Sequence, residues 1–250
     1  MCGRFVAVSS PALVAERFAV DEIDATVGEA SAPDFNVAPR RNVLVVREHE
    51  DRRVLSRLRW GLVPPWAKDP GAGDRMINAR AETVADKPAY RRAFAKKRCI
   101  IPADGFYEWK RTGAPAGGGK PVKQPYFIHR RDGEPLAFAG LWEVWKVPDD
   151  LRTELGAGDG WLRSCAIVTG PANDVVAPIH DRMPVVLPES AWKEWLDPEN
   201  HDVESLSRLL VPAPSEWFEV YTVSRAVNNT RNNGPDLVLP MEARVPLSEA

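Results

Sequence analysis

The chain has 250 residues, 44% of them hydrophobic and 27% charged, with a formal net charge of −2 and three cysteines. That length is enough to bury a sizeable core, as one large domain or two small ones. The composition argues against a polycationic protein and a disulfide-dense scaffold, and no apolar run reaches the roughly 18 residues of a membrane span. Cys2, Cys99 and Cys165 are widely spaced and include no Cys-x-x-Cys, so neither a disulfide framework nor a metal site is expected. The start, Met-Cys-Gly-Arg-Phe, lacks the basic-then-apolar layout of a secretory leader, and a cytoplasmic protein is expected.

In chain order, Ser10-Pro11 opens a helix whose apolar spacing (Leu13, Val14, Phe18) runs to about Val20. Val43–Val46 and Val54–Trp60, separated by a polar turn, predict a hairpin. Pro64-Pro65-Trp66 and Gly71–Gly73 are loop, and Pro88–Phe94 predicts a helix with proline in its tolerated first turn. Strands are expected at Cys99–Pro102, Phe106–Trp109, Tyr126–His129, Leu136–Trp142, Leu162–Thr169 and Glu219–Val223, with Arg131-Asp132-Gly133 as a hairpin turn. Gly113–Lys120 reads as a mobile loop between paired strands and Pro148–Gly160 as a second insertion. Glu189–Leu196 and Val203–Leu210 read as short helices, the second capped by Asp202, and the chain after Asn232 as an extended tail. Many short strands among few helices predict an α+β fold with an antiparallel, barrel-like core, in one domain over 1–232 followed by a 233–250 tail.

Charge is unevenly distributed: residues 1–111 carry +5 and the remainder −7. A basic face on a near-neutral chain suits a phosphate-bearing partner, although solvated strand and helix faces have the same composition.

Several positions could carry chemistry. If Met1 is removed, Cys2 holds an α-amine and a thiol on adjacent carbons. An α-amine with a pKa near 7.7–8.0 is partly neutral at physiological pH and forms imines with aldehydes, after which the thiol can close a thiazolidine ring. Cys99 and Cys165 read instead as small apolar residues of buried strands. Asn78, within Ile77–Thr83, can donate and accept hydrogen bonds, and Arg80 can grip a phosphate. Glu108 alternates with Tyr107 and Trp109 along a strand; in a pocket its pKa would rise and let it exchange protons near neutrality, and at the surface it would not. His180, in Ile179–Pro184, is a plausible acid/base group. Trp66, on a proline loop, can stack on a base.

These segments combine into one pattern. Met-Cys-Gly-Arg-Phe, Asn36–Pro39, Trp60–Pro64, Asn78–Thr83, Arg98–Trp109, Phe138–Trp142, Thr169 and His180–Pro184 occur in order and strongly resemble the SOS-response-associated peptidase (SRAP) family of abasic-site processing proteins. The resemblance implies a single SRAP domain that binds single-stranded DNA carrying an abasic site, needs no cofactor or metal and acts as a monomer, nucleoid-associated if the source is bacterial. It implies Cys2 as the covalent nucleophile, Asn78 positioning its amine and the sugar, Glu108 handling protons, and His180 assisting the sugar chemistry. Arg4, Arg80 and Arg182 match phosphate-binding positions, with Pro39, Arg40 and Trp66 completing the DNA-binding set. Self-removal of Met1 and strand cleavage by β-elimination are implied as associated activities. Two rivals remain: a thiol peptidase using Cys2 and His180 on other proteins, and a non-enzymatic single-strand binding module.

Overall fold

The computed structural model describes residues 2–28, 32–111, 113 and 123–241. Strand β1 (Phe5–Ala7) leads into helix α1 (Pro11–Arg17), where Ser10 accepts from the Leu13 N–H at 3.2 Å as its cap. After β2 (Glu22–Ile23) and β3 (Asp34–Val37) comes the expected hairpin, β4 (Asn42–His49) with β5 (Arg52–Trp60). Glu50 and Asp51, both at positive φ, form its two-residue turn, the geometry that matches the twist of the paired strands. Strand β6 (Asn78–Arg80) precedes α2 (Arg91–Lys96). That helix becomes regular three residues later than expected, although the Lys87 carbonyl already accepts from Tyr90 and Arg91, leaving Pro88 in a preceding turn.

The expected strands then follow as β7 (Arg98–Ala103), β8 (Gly105–Arg111), β9 (Lys123–Arg130), β10 (Leu136–Lys146) and β11 (Trp161–Pro171). Next are β12 (Arg182–Pro184), α3 (Glu189–Leu196), α4 (Val203–Arg208) and β13 (Phe218–Thr222). Asp202 caps α4 as anticipated, accepting from the Glu204 and Ser205 N–H groups. Apart from Gly113, the expected Gly113–Lys120 loop lies outside the described residues. Arg131–Gly133 is a turn but closes no hairpin: β9 pairs with β8 and β13, whereas β10 pairs with β7 and β11. After residue 232, Pro235–Val238 forms a 3-10 turn with Leu237 buried, and Tyr221 Oη donates to Val238 O.

The fold is α+β around a closed five-strand barrel. Strands β5, β4, β7, β10 and β11 pair in that order, and a short parallel contact between β11 and β5 (Ser164↔Arg59, Cys165↔Trp60) closes the ring. A second sheet, β13-β9-β8-β1-β3, shares a core with one face of this barrel. Strand alternation explains why the barrel strands are apolar on both faces. Val43, Val45, Leu58, Trp60, Cys99, Ile101, Phe138, Cys165 and Ile167 pack with Phe5, Phe106 and Ile128 of the second sheet. Their neighbours Val46, Leu55, Ile100, Ala139, Leu141, Ala166 and Val168 pack against the helices through Phe94, Trp192 and Trp195. Phe5 is central, edge-on to Trp60 at 5.1 Å and to Phe138 at 6.1 Å. This anchors the chain start in the core.

Arg98 ties the helices to the barrel. It is 3% exposed and donates to Phe94 O at 2.7 Å, Trp195 O at 2.7 Å, Asn200 O at 3.0 Å and also Asp197 O. The first two and the last of these carbonyls lie at the ends of α2 and α3, which have no intrahelical donors for them. Arg98→Met should leave the buried Phe94 and Trp195 carbonyls without this donor, at about 1–3 kcal/mol each. The thermal midpoint is expected to fall by roughly 10 °C. A calorimetric scan showing a change within about 2 °C would refute this keystone role.

Candidate active site

The chain start is built into the second sheet. β1 pairs antiparallel with β8 (Phe5↔Phe106, Val6↔Gly105), and the Tyr107 N–H donates to Arg4 O at 3.0 Å. Continuing that register toward the start places Glu108 level with Gly3, beside Cys2. At the far end of β1, Asp104 secures the exit of the strand, accepting from the Val8 and Ser9 N–H groups at 2.6 and 3.0 Å. Arg4 donates to Asn36 Oδ1 at 2.7 Å and to Val227 O at 2.9 Å. Asn36, itself 3% exposed, donates to the carbonyls of Val227, Asn229 and Asn232, so the 227–232 turn and the chain start are held as one unit.

Asn78 reaches Cys2 from the barrel. β6 runs parallel to β11 (Ile167↔Asn78, Val168↔Ala79), and Asn78 Nδ2 donates to the Cys2 carbonyl at 2.7 Å. The loop feeding β6 depends on a close backbone approach: Gly61 has φ +128° and a Cβ there would lie 2.7 Å from Gly73 O. Trp60 Nε1 donates to Ile77 O at 2.9 Å, and Tyr90 Oη to Asn78 O at 3.1 Å. Asn78 Oδ1 is buried and accepts no hydrogen bond from the described residues, which leaves an acceptor in reserve beside Cys2.

Cys2 is fully buried, with its Sγ 3.7 Å from Arg4 O. Burial, reinforced by the nearby Glu108 carboxylate, pushes the thiol pKa up. Strand alternation puts Tyr107 and Trp109 in one cluster and Phe106 in the other, so Glu108 falls on the core side with Phe106, 3% exposed. Burial raises its carboxyl above the ordinary range. The pocketed alternative for Glu108 is therefore the one realised.

His180 follows the turn after β11 and lies 3.0 Å, through Nδ1, from both the Arg182 N–H and Asp181 Oδ1. The two partners demand different states. A neutral ring accepts the Arg182 N–H at Nδ1 and carries its proton on Nε2, whereas a ring protonated at Nδ1 turns to Asp181. A cavity of about 390 Å³ is lined by Arg4, Glu108, His180, Trp109 and Asn228 together with Arg111 and Lys123. Trp109 Nε1 donates to Asn228 Oδ1 at 2.7 Å, and the Arg4 guanidinium lies 5.9 Å from the Trp109 ring centre.

Cys2, Asn78, Glu108, His180 and Arg4 thus converge on one place. Arg182 lies beside it but is committed: it holds Glu82 through two hydrogen bonds of 2.9 Å and donates to Thr169 O at 2.5 Å. Arg80 is exposed on β6. Arg40 bridges to Asp74 and lines a different cavity with Arg41 and Arg231, and the neighbouring Pro39 is half-buried. Trp66 is 64% exposed and lines a third cavity with Pro65 and Arg92. Asn36 and Asn228 were not anticipated as site residues, because an asparagine in a polar stretch reads as a turn former until its partners are known. Among the described residues no group of three or more His, Cys, Asp or Glu is placed to hold a metal ion, and no helix is long and apolar enough to cross a membrane.

The model of the family described as SOS response associated peptidase (SRAP) matches residues 1–230. The abasic site processing protein YoqW of Bacillus subtilis is 42% identical over 238 residues, spanning 95% of this chain and 99% of its own. The abasic site processing protein YedK of Escherichia coli is 34% identical over 247 residues, spanning 96% and 100%. HMCES of Gallus gallus, also named an abasic site processing protein, is 33% identical over 245 residues, spanning 86% and 68%. A solved structure from Bacteroides thetaiotaomicron shares the fold, with a TM-score of 0.80 at 23% identity over 96% of this chain and 99% of that one. A phage-related protein from Bordetella bronchiseptica superposes with a TM-score of 0.65 at 31% identity, over 90% and 95%. By the extent of the family match and the identity to these relatives, the chain belongs to the SOS response associated peptidase family.

Proposed function

We propose that this protein processes abasic sites in single-stranded DNA by capturing the aldehyde of the opened deoxyribose on Cys2. The observation that carries the reading is the convergence on Cys2 of Asn78, at 2.7 Å from its carbonyl, and of Glu108, which with His180 lines the adjoining cavity. The names of the relatives support the substrate class.

Hydrolysis of the Met1–Cys2 peptide consumes one water, releases methionine and frees the amine. An abasic sugar is mostly a closed hemiacetal, and a protonated Glu108 can donate to its ring oxygen as it opens. The Cys2 amine adds to C1′ and loss of one water gives the imine. Sγ then adds to the imine carbon while its proton passes to nitrogen, closing the thiazolidine. His180, with Nδ1 turned to the Arg182 N–H, offers an Nε2 proton to the sugar hydroxyls. If a proton leaves C2′ of the imine instead, β-elimination expels the 3′ phosphate and cuts the strand.

The elevated thiol pKa disfavours the thiol-peptidase reading, which needs a ready thiolate to attack an amide, a weaker electrophile than an imine. Wild-type protein incubated with an oligonucleotide carrying one abasic site is expected to give a heat-stable shifted band on denaturing electrophoresis. The intact mass should lack Met1. Acetylating only the α-amine should abolish the band, an outcome a thiol peptidase does not require. A wild-type protein that never shifts would overturn the proposal.

A further inference from the structure

The cavity beside Cys2 carries two cations that the chemistry above leaves unused. Arg111 and Lys123 stand directly opposite each other at the ends of β8 and β9, and both line that cavity with Arg4, Glu108 and His180. Like charges paired across strands destabilise a sheet, so folding alone gives no reason for this pair. Neither forms an ion pair with a carboxylate among the described residues, in contrast to Arg182 on Glu82 or Arg40 on Asp74. Glu108 and Trp109 point to opposite faces of β8, so a cavity lined by both wraps the edge of that strand past the point where β1 ends. Its wall is stiff, because Trp109 is fixed by Asn228 and carries Arg4 on its ring. From Glu108 to Arg111 the strand advances about 10 Å, a distance that leads away from a reacting sugar along its own backbone.

We propose that Arg111 and Lys123 form a phosphate subsite that grips the DNA backbone next to the captured sugar. The proposal rests on the capture reading for its location, and its chemistry is that of a guanidinium and an ammonium facing a phosphodiester. A bound phosphate also removes the cross-strand repulsion, so the pair is stabilised by its ligand.

The test compares the R111Q/K123Q variant with K87Q/K193Q, which removes the same charge from exposed lysines that line none of the cavities described above. Affinity for a lesion-free single-stranded oligonucleotide is measured across a salt series, and crosslinking to an abasic oligonucleotide at saturating DNA. R111Q/K123Q is expected to flatten the slope of log affinity against log salt by about 1.4, two single-strand phosphate contacts. K87Q/K193Q should leave the slope near that of wild type. Crosslink yield at saturation should match wild type in K87Q/K193Q, and the thermal midpoint of R111Q/K123Q should be no lower. Equal slopes for the two variants would overturn the subsite. A wild-type protein that binds with the predicted slope difference yet never crosslinks would overturn the capture reading while supporting the subsite.

Discussion

Cys2→Ala is expected to abolish the heat-stable DNA adduct completely, while sodium borohydride should still trap a covalent product on the same variant. The split follows from the two nucleophiles of a terminal cysteine. Alanine keeps the α-amine, which forms an imine that water reverses and hydride fixes; it lacks the sulfur that closes the ring. Alanine is also small enough for methionine aminopeptidase to expose the amine, which intact mass confirms before the assay. Trapped yield should lie within about tenfold of wild type, because imine formation depends on amine position and general acid help, not on sulfur. A heat-stable adduct on Cys2→Ala without reductant would remove the thiol from the reaction. Failure of reductant to trap anything, with Met1 absent, would remove the amine. Packing enters as well: Cys2 is fully buried within the core cluster of Phe5 and Trp60, so truncation to alanine also removes core volume. Cys2→Ser separates the two, since it preserves the volume and is expected to behave like alanine.

Glu108→Gln should slow adduct formation by about 10²–10⁴-fold, the usual contribution of a placed acid–base group. Its pH dependence carries the stronger test. Burial raises the Glu108 carboxyl, so a fraction remains protonated above the normal carboxylate range and can donate to the sugar ring oxygen. The rate should fall as pH rises through that raised value, while deprotonation of the Cys2 amine pushes it up toward about pH 8. Single-turnover rates from about pH 5 to 9 should therefore be bell-shaped for wild type, and the variant should lose the descending limb. A variant within threefold of wild type at every pH would assign Glu108 no part in proton transfer.

The same carboxyl sets a stability trend of known sign. A folded pKa above the unfolded one means that the native state holds its proton more tightly. Stability therefore falls as pH rises from the unfolded value near 4.3 through the raised folded value, and is level beyond it. Glutamine has no such loss. The thermal midpoint of Glu108→Gln should match wild type in acid and exceed it increasingly toward neutrality.

The strand positions were legible because their residues alternate or run apolar: Cys99–Pro102 and Leu162–Thr169 occupy the barrel, and Val43–Val46 with Val54–Trp60 make its hairpin. Short edge pieces were not. Phe5–Ala7, Asp34–Val37 and Asn78–Arg80 hold three or four residues each, too few for periodicity to register, and they are strands only because a neighbour supplies their hydrogen bonds. The Arg131–Gly133 turn shows the same limit. Its residues specify a reversal, but which strands it joins depends on sheet assignments far away in the chain.

Cys2, Asn78, Glu108 and His180 stand out in the sequence only as separate candidates, and the resemblance to the family is what joins their amine, amide, carboxyl and imidazole into one proposed set. Whether Glu108 faced water or a pocket was undetermined, because alternation separates it from Tyr107 and Trp109 without saying which face is buried. The pairing of β8 with β1 decided that, by laying the Phe5 and Phe106 side over the barrel core. Likewise only tertiary structure committed Arg182 to Glu82 and placed Arg111 opposite Lys123 at the same cavity. Composition and order thus determine which chemical groups are present and in which kind of element. Their partners, burial and protonation are properties of contacts between segments up to about two hundred residues apart, such as Arg4 with Val227, and arise only when the sheets close around the chain start.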